Sequence, residues 1–225
     1  MSIKSLFYRI KGHLYWRLHG LDFYLSKVRG VIHVGANEGQ ERDKYARRRL
    51  RVLWIEPIPE IYEKLRKNIE GYSGQTCLNN LVTDVDDKEY IFHVSNNSGI
   101  SSSILDIAGH RSLFPAVDYS SHLHLRSVTL KTLLSRSKVD VSFYNALILD
   151  TQGSELLVLK GAGGDLLRRF KFIQTEVADF ESYEGGCKLN EMDAYMNDHG
   201  FHSWRKNCFK KGEVGSYYDI VYARS

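Results

Sequence analysis

The chain has 225 residues, of which 43% are hydrophobic and 26% charged, and its formal net charge is +4. This length suits one large domain and leaves no room for a separate substrate-binding domain. The mildly basic balance tolerates an anionic partner but does not indicate nucleic acid, so no nucleic-acid partner is expected. The three cysteines are far apart and predict neither a disulfide framework nor a zinc site, and we expect reduced thiols.

Residues 1–29 are predicted to form a basic amphipathic helical extension ahead of a main domain over residues 30–225. The extension carries an apolar stripe at helical spacing, made of Leu6, Phe7, Ile10, Leu14 and Leu18. A helix that caps the domain is the favoured interpretation, and contact with a membrane surface or a lipid-linked acceptor is the alternative. No apolar run approaches the ~20 residues that span a bilayer. Charged residues near the N-terminus occupy the positions where a secretory signal would need its apolar stretch. We therefore expect a cytoplasmic protein, with peripheral contact at the inner membrane surface left open.

Short apolar strands alternate with helices along the main domain. The first half is predicted to contain a strand at 31–35, a helix at 38–51, a strand at 52–56, a helix at 60–70, a strand at 75–82 and an exposed strand at 89–94. The second of these strands ends at Pro57 and Pro59, which cannot continue a sheet. The loop at 95–103 is the most polar in the chain, and loops of that length are either functional or disordered.

The second half continues the alternation after a variable stretch to about Ser127. It is predicted to contain a strand at 144–150, a helix at 154–169, a strand at 170–177, a helix at 189–199 and a hairpin of 201–209 with 217–222 around a Lys-Lys-Gly-Glu turn. Strands that alternate with helices indicate a largely parallel sheet covered on both faces, here with an antiparallel hairpin at its end. Ligands of such sheets bind beyond the carboxyl ends of the strands.

Three features come together at that edge: the turn at 35–39, Glu56 and Asp150. Gly35 and Gly39 allow the backbone to approach a ligand closely, and the helix that follows presents free N–H groups. Glu56 stands near the ~20-residue spacing expected of an acid that accepts bonds from ribose hydroxyls. Taken singly, each could be an ordinary turn or a solvated acid. Their convergence predicts a nucleoside site.

The turn lacks the third glycine of the G-x-G-x-x-G pattern that a dinucleotide pyrophosphate requires. S-adenosylmethionine has no pyrophosphate and needs only space for its methionine tail and an acid for its ribose. The spacing therefore favours S-adenosylmethionine over NAD, and an NAD-dependent oxidoreductase is the less favoured alternative.

The sequence resembles the FkbM-type methyltransferases of the class I S-adenosylmethionine-dependent group. The similar segments are VIHVGANEGQ at 31–40, WIEPIPEIYEKLRKN at 54–68, LILDTQGSELLVLKGAG at 147–163, FIQTEV at 172–177, YEGG at 183–186 and Gly200-Phe201. The resemblance spans roughly residues 30 to 205 and is most specific from Leu147 to Val177. It implies an α/β, Rossmann-like class I methyltransferase fold: a mostly parallel seven-stranded sheet, helices on both faces and a C-terminal antiparallel hairpin.

The resemblance also implies S-adenosylmethionine as the cofactor and O-methylation of a sugar or glycosylated product. The residues expected to contact the cofactor are His33, Gly35, Ala36, Asn37, Glu38, Gly39, Glu56, Pro57, Asn80, Val82, Asp150 and Gln152. Of these, His33 departs from the family, which more often has an aspartate there. A neutral imidazole could accept a bond from the cofactor, and the alternative is a strand histidine satisfied by the protein.

Transfer to a hydroxyl requires positioning and a base that removes the proton. Asp150 is the first candidate and Glu176, at the end of the next strand, the second. The alternative for Asp150 is to hold a neighbouring loop or the ammonium of the cofactor. The predicted acceptor site comprises Ser101, Ser102, His110, Glu155 and Glu176. For Glu155 the alternative, and the favoured one, is a helix cap that reaches back to Gln152 and Gly153.

The expected partner is a small-molecule or glycan acceptor, and a homodimer is left open. His122 and His124 lack further ligands at metal spacing, so no metal is predicted. A non-catalytic binding module in a glycan-assembly complex is the alternative from a different functional class.

Overall fold

The computed structural model describes residues 20–224. The apolar stripe predicted between Leu6 and Leu18 lies outside the described residues. The described part begins with a 3-10 helix, Leu21–Lys27, which buries Tyr24 and Leu25. Within 20–224, no helix has the length and apolar character that crossing a membrane would require.

Ten strands and six α-helices are described after that first turn. The strands are β1 (Gly30–Val34), β2 (Arg51–Glu56), β3 (Gln75–Asn79), β4 (Leu81–Thr83), β5 (Glu89–Ser95), β6 (Tyr119–Thr129), β7 (Ala146–Leu149), β8 (Phe172–Ala178), β9 (Phe201–Gly212) and β10 (Gly215–Arg224). The helices are α1 (Arg42–Ala46), α2 (Pro59–Asn68), α3 (His110–Leu113), α4 (Leu130–Arg136), α5 (Glu155–Leu167) and α6 (Leu189–Asp198).

Seven strands form the main sheet in the order β3-β2-β1-β7-β8-β10-β9. All neighbours are parallel except β10, which runs antiparallel to both β8 and β9. This confirms the predicted mostly parallel sheet with its C-terminal hairpin. The central strands β1 and β7 are buried throughout, as expected for strands covered on both faces.

The two faces of the main sheet have separate cores. One face packs residues such as Ile32, Leu147 and Ile173 against α4, α5 and α6. The other face packs Trp54 with Tyr45 of α1 and with Tyr24 of the 3-10 helix. That second face is the one on which the candidate site lies.

Four element predictions need correction. The helix predicted at 38–51 is only the five-residue α1, which buries Tyr45 alone, and Arg49 turns the chain after it at a φ of 54°. The strand predicted at 75–82 divides at Asn80 into β3 and β4, which belong to different sheets. The stretch described as variable contains the long strand β6, which joins β4 and β5 in a second sheet of order β4-β6-β5.

The fourth correction concerns the terminal hairpin. Its strands continue to Gly212 and resume at Gly215, so the turn falls on Glu213 and Val214, later than predicted. The helix predicted at 154–169 is present as α5, and it is kinked at Gly163, whose φ of 71° is not helical. Gly163 lies in the second half of α5, so the kink does not alter the amino end of the helix, which lies beneath the candidate site.

Candidate functional site

A cavity of about 320 Å³ opens at the carboxyl ends of β1, β2, β7 and β8. This volume lies within the roughly 300–1,000 Å³ that small-molecule sites occupy. The predicted residues that line it are His33, Gly35, Ala36, Asn37, Glu56, Pro57, Asn80, Val82, Ser102, Asp150, Gln152 and Glu176. The carboxyl edge of a parallel sheet therefore brings most of the predicted set together, as the strand order requires.

Strand register explains why the acidic side chains share one wall. His33 pairs with Trp54, and Trp54 points to the same face as Glu56, two residues on. Ile148 on β7 pairs with Gln174 on β8. Asp150 comes two residues after Ile148, and Glu176 two residues after Gln174, so each points to the same face as the residue before it. Successive carboxylates of neighbouring strands thus meet on one face of the sheet.

The turn after β1 is held by tight backbone packing. Gly35 has a φ of 80°, and a Cβ built on it would lie 1.8 Å from the carbonyl oxygen of Asp150. Its N–H and that of Ala36 both donate to the carbonyl of Ile55, at 3.0 and 3.1 Å. Only glycine can occupy the position at which this turn touches the turn after β7.

Glu56 fastens the first turn from the neighbouring strand. Its Oε2 accepts the N–H of Asn37 at 2.8 Å, and its Oε1 accepts that of Ile58 at 2.9 Å. Burial, reinforced by the charge of Asp150, raises its pKa to about 7 although both backbone bonds act to lower it. A carboxylate has about four acceptor positions, so two backbone donors leave Glu56 capacity for a ligand.

The turn after β7 carries Asp150 into the cavity. The side chain is open to the cavity while protein surrounds it on its other sides, and this burial raises its pKa to about 6. Nε2 of Gln152 donates to its Oδ1 at 2.6 Å, which acts in the opposite direction. Asp150 is thus an acid whose ionisation falls close to neutral pH.

Glu155 stands apart from the predicted acceptor site. Its Oε1 accepts the N–H of Thr151 at 2.8 Å, and Gly153 donates to both carboxylate oxygens. The side chain is 4% exposed and is not among the residues that line the cavity. Its contacts are those of a cap on the amino end of α5, which is the alternative expected from the sequence, and they give no support to a substrate role.

Glu176 faces a carboxylate that the sequence reasoning missed. Asp219 on β10 pairs with Glu176 on β8, and both line the cavity. Burial comes first among the causes that raise the pKa of Glu176, followed by the charge of Asp150. Among residues 20–224 no hydrogen bond reaches the Glu176 carboxylate, although its backbone carbonyl accepts one from the Thr175 hydroxyl at 3.2 Å. The signal for Asp219 was present as a lone acid within the apolar run Tyr217–Tyr222.

Asp22, Glu41 and Lys44 complete this part of the wall and were not predicted either. Asp22 comes from the 3-10 helix, and its carboxylate lies 3.0 Å from the ammonium of Lys44. Lys44 is thereby paired, and its charge also acts on Asp219, where it lowers the pKa against the larger and opposite effect of burial.

His33 is a neutral side chain at the cavity floor. Burial lowers its pKa to about 4. Its Nδ1 lies 3.2 Å from the hydroxyl of Tyr45, and its ring stacks on Trp54 with centroids 5.0 Å apart. These contacts are those of a strand histidine satisfied by the protein, although the residue still lines the cavity.

The polar loop at 95–103 is ordered and folds over the cavity. Ser102 lines it, whereas Ser101 is turned inward, where its Oγ accepts a bond from the amide of Asn97. His110 lies in an aromatic cluster with Tyr183 and Tyr217, outside the cavity lining, and its Nδ1 is 2.5 Å from the Tyr217 hydroxyl. The Ser101 hydroxyl and Nδ1 of His110 are thus used in contacts within the protein, whereas Nε2 of His110 is buried without a hydrogen-bond partner.

Two residues of the predicted cofactor set also lie outside the cavity lining. Glu38 pairs with Lys64 at 2.8 Å on the outer side of the turn. A Cβ on Gly39 would lie 2.7 Å from Leu65, so this glycine serves the packing of α2. The four-residue glycine spacing therefore has one member at the site and one in the scaffold.

The cavity suits a ligand that is cationic and carries hydroxyls. The acids that line it are Asp22, Glu41, Glu56, Asp150, Glu176 and Asp219, and Lys44 is the basic residue beside them. A sulfonium and an ammonium reduce the repulsion within such a group, and ribose hydroxyls are donors to carboxylates. The donor set of this cavity therefore fits S-adenosylmethionine. Among residues 20–224, no group of three His, Cys, Asp or Glu side chains is arranged to hold a metal ion.

Residues 33–203 match the family model described as the Methyltransferase FkbM domain. The chain belongs to the FkbM methyltransferase family. This membership identifies it as an S-adenosylmethionine-dependent methyltransferase and confirms the resemblance found in the sequence. The match begins at His33 on β1 and ends on β9, so it includes the residues that line the cavity except Asp22 and Asp219.

Individual relatives are more distant. The 2-O-methyltransferase NoeI of Sinorhizobium fredii (strain NBRC 101917 / NGR234) is 24% identical over 170 residues, which cover 72% of this chain and 68% of NoeI. Among solved structures, the METTL16 MTase domain superposes with a TM-score of 0.52 at 10% identity, covering 95% of this chain and 66% of that one. The structural likeness establishes the class I methyltransferase fold.

Proposed function

We propose that this FkbM-family enzyme transfers a methyl group to a hydroxyl oxygen of a sugar in a polysaccharide, a glycolipid or a nucleotide-sugar precursor. The observation that carries the proposal is the row of carboxylates, Glu56, Asp150 and Glu176, on one wall of a single cavity. Carboxylates bind sugars by accepting bonds from their hydroxyls. The name of NoeI, a 2-O-methyltransferase, supports an oxygen acceptor.

The cofactor half of the cavity is assigned to the turn after β1. When bound, S-adenosylmethionine supplies a methyl group activated by its sulfonium. Gly35, Ala36 and Asn37 would hold the methionine tail, and Glu56 would accept the ribose hydroxyls with the positions that its backbone donors leave free. Asn80, between β3 and β4, would contact the base together with its neighbour Val82.

The acceptor half is assigned to Asp150, Glu176 and Ser102. Asp150 is ionised above its pKa of about 6 and would take the proton of the acceptor hydroxyl at neutral pH. Glu176, whose pKa burial and neighbouring carboxylates raise, would bind the acceptor through its carboxyl group. Two carboxylates in different environments thereby take different roles. The alternative is Glu176 as the base.

Release of S-adenosylhomocysteine during incubation with a panel of sugars, glycolipids and nucleotide sugars tests the proposal. We expect Asp150→Asn to lower kcat by at least about 100-fold, the usual contribution of a general base. Glu176→Gln keeps a hydrogen-bonding group in place and should mainly raise KM.

Two outcomes would change the assignment. Normal turnover by the Asp150→Asn enzyme would transfer the role of base to Glu176. Cofactor binding without transfer to any acceptor in the panel would contradict the enzymatic proposal and favour a non-catalytic binding module.

A further inference from the structure

Tyr183 lies on the segment after β8, where it contacts the turn after β7. The side chain is 1% exposed, and its hydroxyl donates a hydrogen bond of 2.8 Å to Oε1 of Gln152. Burial raises the pKa of the phenol far above its ordinary value, so the hydroxyl keeps its proton. Tyr183 is therefore a permanent donor to one end of the Gln152 amide.

Gln152 transmits that constraint to Asp150. With its carbonyl oxygen facing Tyr183, the amide presents Nε2 to Oδ1 of Asp150, at 2.6 Å. The backbone of Gln152 is held as well, because the hydroxyl of Ser103 donates to its carbonyl at 2.7 Å. Its φ of 51° lies in the left-handed region, which a residue other than glycine adopts when its surroundings enforce it.

The glycines near Tyr183 serve the same contact. A Cβ on Gly153 would lie 2.8 Å from Cδ2 of Tyr183, so the ring packs directly against the turn. The N–H of Gly186 donates to the carbonyl of Tyr183 at 2.9 Å and closes the segment that carries the ring. The D-T-Q-G segment and the Y-E-G-G segment are far apart in sequence, but they pack together and jointly hold the Gln152 side chain in place.

We infer that Tyr183 is a positioning residue for Asp150: by fixing the Gln152 amide it keeps a donor on Oδ1 and leaves Oδ2 free for the ligand. The inference extends the proposed function, since Asp150 is the candidate base there. A hydrogen bond to the ionised form favours ionisation. Loss of the Tyr183 hydroxyl should therefore raise the pH at which Asp150 ionises.

Other charged groups also face Asp150 and must be considered in such a titration. The carboxyl groups are Glu41, Glu56, Glu155, Glu176 and Asp219, and the ammonium of Lys44 lines the same cavity. All of them are retained when the Tyr183 hydroxyl is removed. A change in the Asp150 midpoint can then be assigned to the Gln152 amide.

The test is a titration of ¹³C-aspartate-labelled protein without ligand, followed by NMR, with Asp150→Asn identifying the Asp150 signal. Gln152→Met should raise the Asp150 midpoint by about one unit, the shift that corresponds to the loss of a hydrogen bond to a charged group. Tyr183→Phe, which preserves the ring, should give a shift in the same direction and no larger. In the double variant the midpoint should equal that of Gln152→Met alone, because the two residues act in series.

Tyr217→Phe is the matched control, since it removes a buried hydroxyl from the same aromatic cluster but one bonded to His110. An equal shift in the Tyr217→Phe and Tyr183→Phe proteins would overturn the inference, as would no shift in Tyr183→Phe. In the unaltered protein, the side-chain amide protons of Gln152 should exchange slowly with solvent. Exchange as fast as in an exposed glutamine would show that Tyr183 does not fix the Gln152 amide, and this result needs no variant.

The two proposals can fail separately. If the titration behaves as expected while Asp150→Asn retains normal turnover, Tyr183 positions Asp150 but Asp150 is not the base. If Asp150→Asn is inactive while Tyr183→Phe leaves the midpoint unchanged, the proposed function stands and the positioning role is rejected.

Discussion

The turns after β1 and β7 are both held by hydrogen bonds to a glutamate, but the glutamate comes from a different element in each. In each, a buried glutamate accepts backbone N–H groups of the turn: Glu56 from the neighbouring strand, Glu155 from the helix that follows. Burial raises the pKa of both to about 7. Only Glu56 also lines the cavity. Glu56 thus both holds its turn and faces the ligand site, whereas Glu155 only holds its turn.

The largest effect should come from the point at which the two turns touch. Gly35→Ala places a Cβ 1.8 Å from the Asp150 carbonyl, so we expect a loss of more than about 4 kcal/mol in the free energy of unfolding, or no folded protein. Gly71→Ala is the control, because Gly71 has a similar φ of 85° with no atom within 4 Å. It should cost about 1 kcal/mol, the strain of the backbone alone. Similar losses in denaturant titrations of the two variants would contradict the contact.

The pH dependence of stability should be the next largest effect, and it should be common to both turns. A carboxyl whose pKa is higher in the folded than in the unfolded protein binds its proton more tightly when folded. The stability that such a group contributes is fully present below about pH 4.5 and is lost as the pH rises toward 7. For Glu56 and Glu155, each shifted from 4.5 to about 7, the loss is on the order of 3 kcal/mol per group.

Melting of the ligand-free protein between pH 5 and 8 measures this effect. Glu56→Gln and Glu155→Gln should each flatten the dependence, since an amide does not titrate. His33 and His110, whose pKa values burial lowers to about 4, act in the opposite direction below pH 6.5, so each variant is compared with the unaltered protein. An identical pH dependence in the variants and the unaltered protein would show that the two carboxyls are ionised without penalty in the folded state.

The smallest effect should separate the two turns. Each Glu→Gln substitution places an amide NH₂ against backbone donors and should cost about 2 kcal/mol at pH 5. Calorimetry with S-adenosylmethionine should then give at least a tenfold loss of affinity for Glu56→Gln and little change for Glu155→Gln. If both variants bound equally well, Glu56 would be a scaffold residue like Glu155 and the ribose assignment would fail.

The sequence was sufficient where a local pattern determines a position. Parallel strands place their carboxyl ends on one edge, so Glu56, Asp150 and Glu176 could be grouped from strand ends alone. Asp219 could not be placed, because β10 is antiparallel and its register with β8 decides which side chain meets Glu176. The same limit hid the second sheet, since nothing local to Asn80 specifies that the chain leaves one sheet there and enters another.

Polar side chains were the hardest to interpret. Ser101, His110 and Glu155 carry groups that could bind a substrate, but they contact Asn97, Tyr217 and the 151–153 backbone instead, and only Nε2 of His110 is left without a partner. Whether a hydroxyl or carboxyl faces a ligand or a buried N–H depends on packing between distant segments. Spacing favoured the helix cap for Glu155, but residue type and spacing left that choice open for Ser101 and His110.

The loop at 95–103 has a consequence for the cooperativity of the molecule. The Ser98 carbonyl accepts the side-chain amide of Asn37 at 3.2 Å, and the hydroxyl of Ser103 reaches the Gln152 carbonyl at 2.7 Å. One loop of the small sheet is therefore bonded to both turns across the cavity. We expect local opening of that sheet to release the two turns together, so that hydrogen exchange of both turns should report one shared opening free energy.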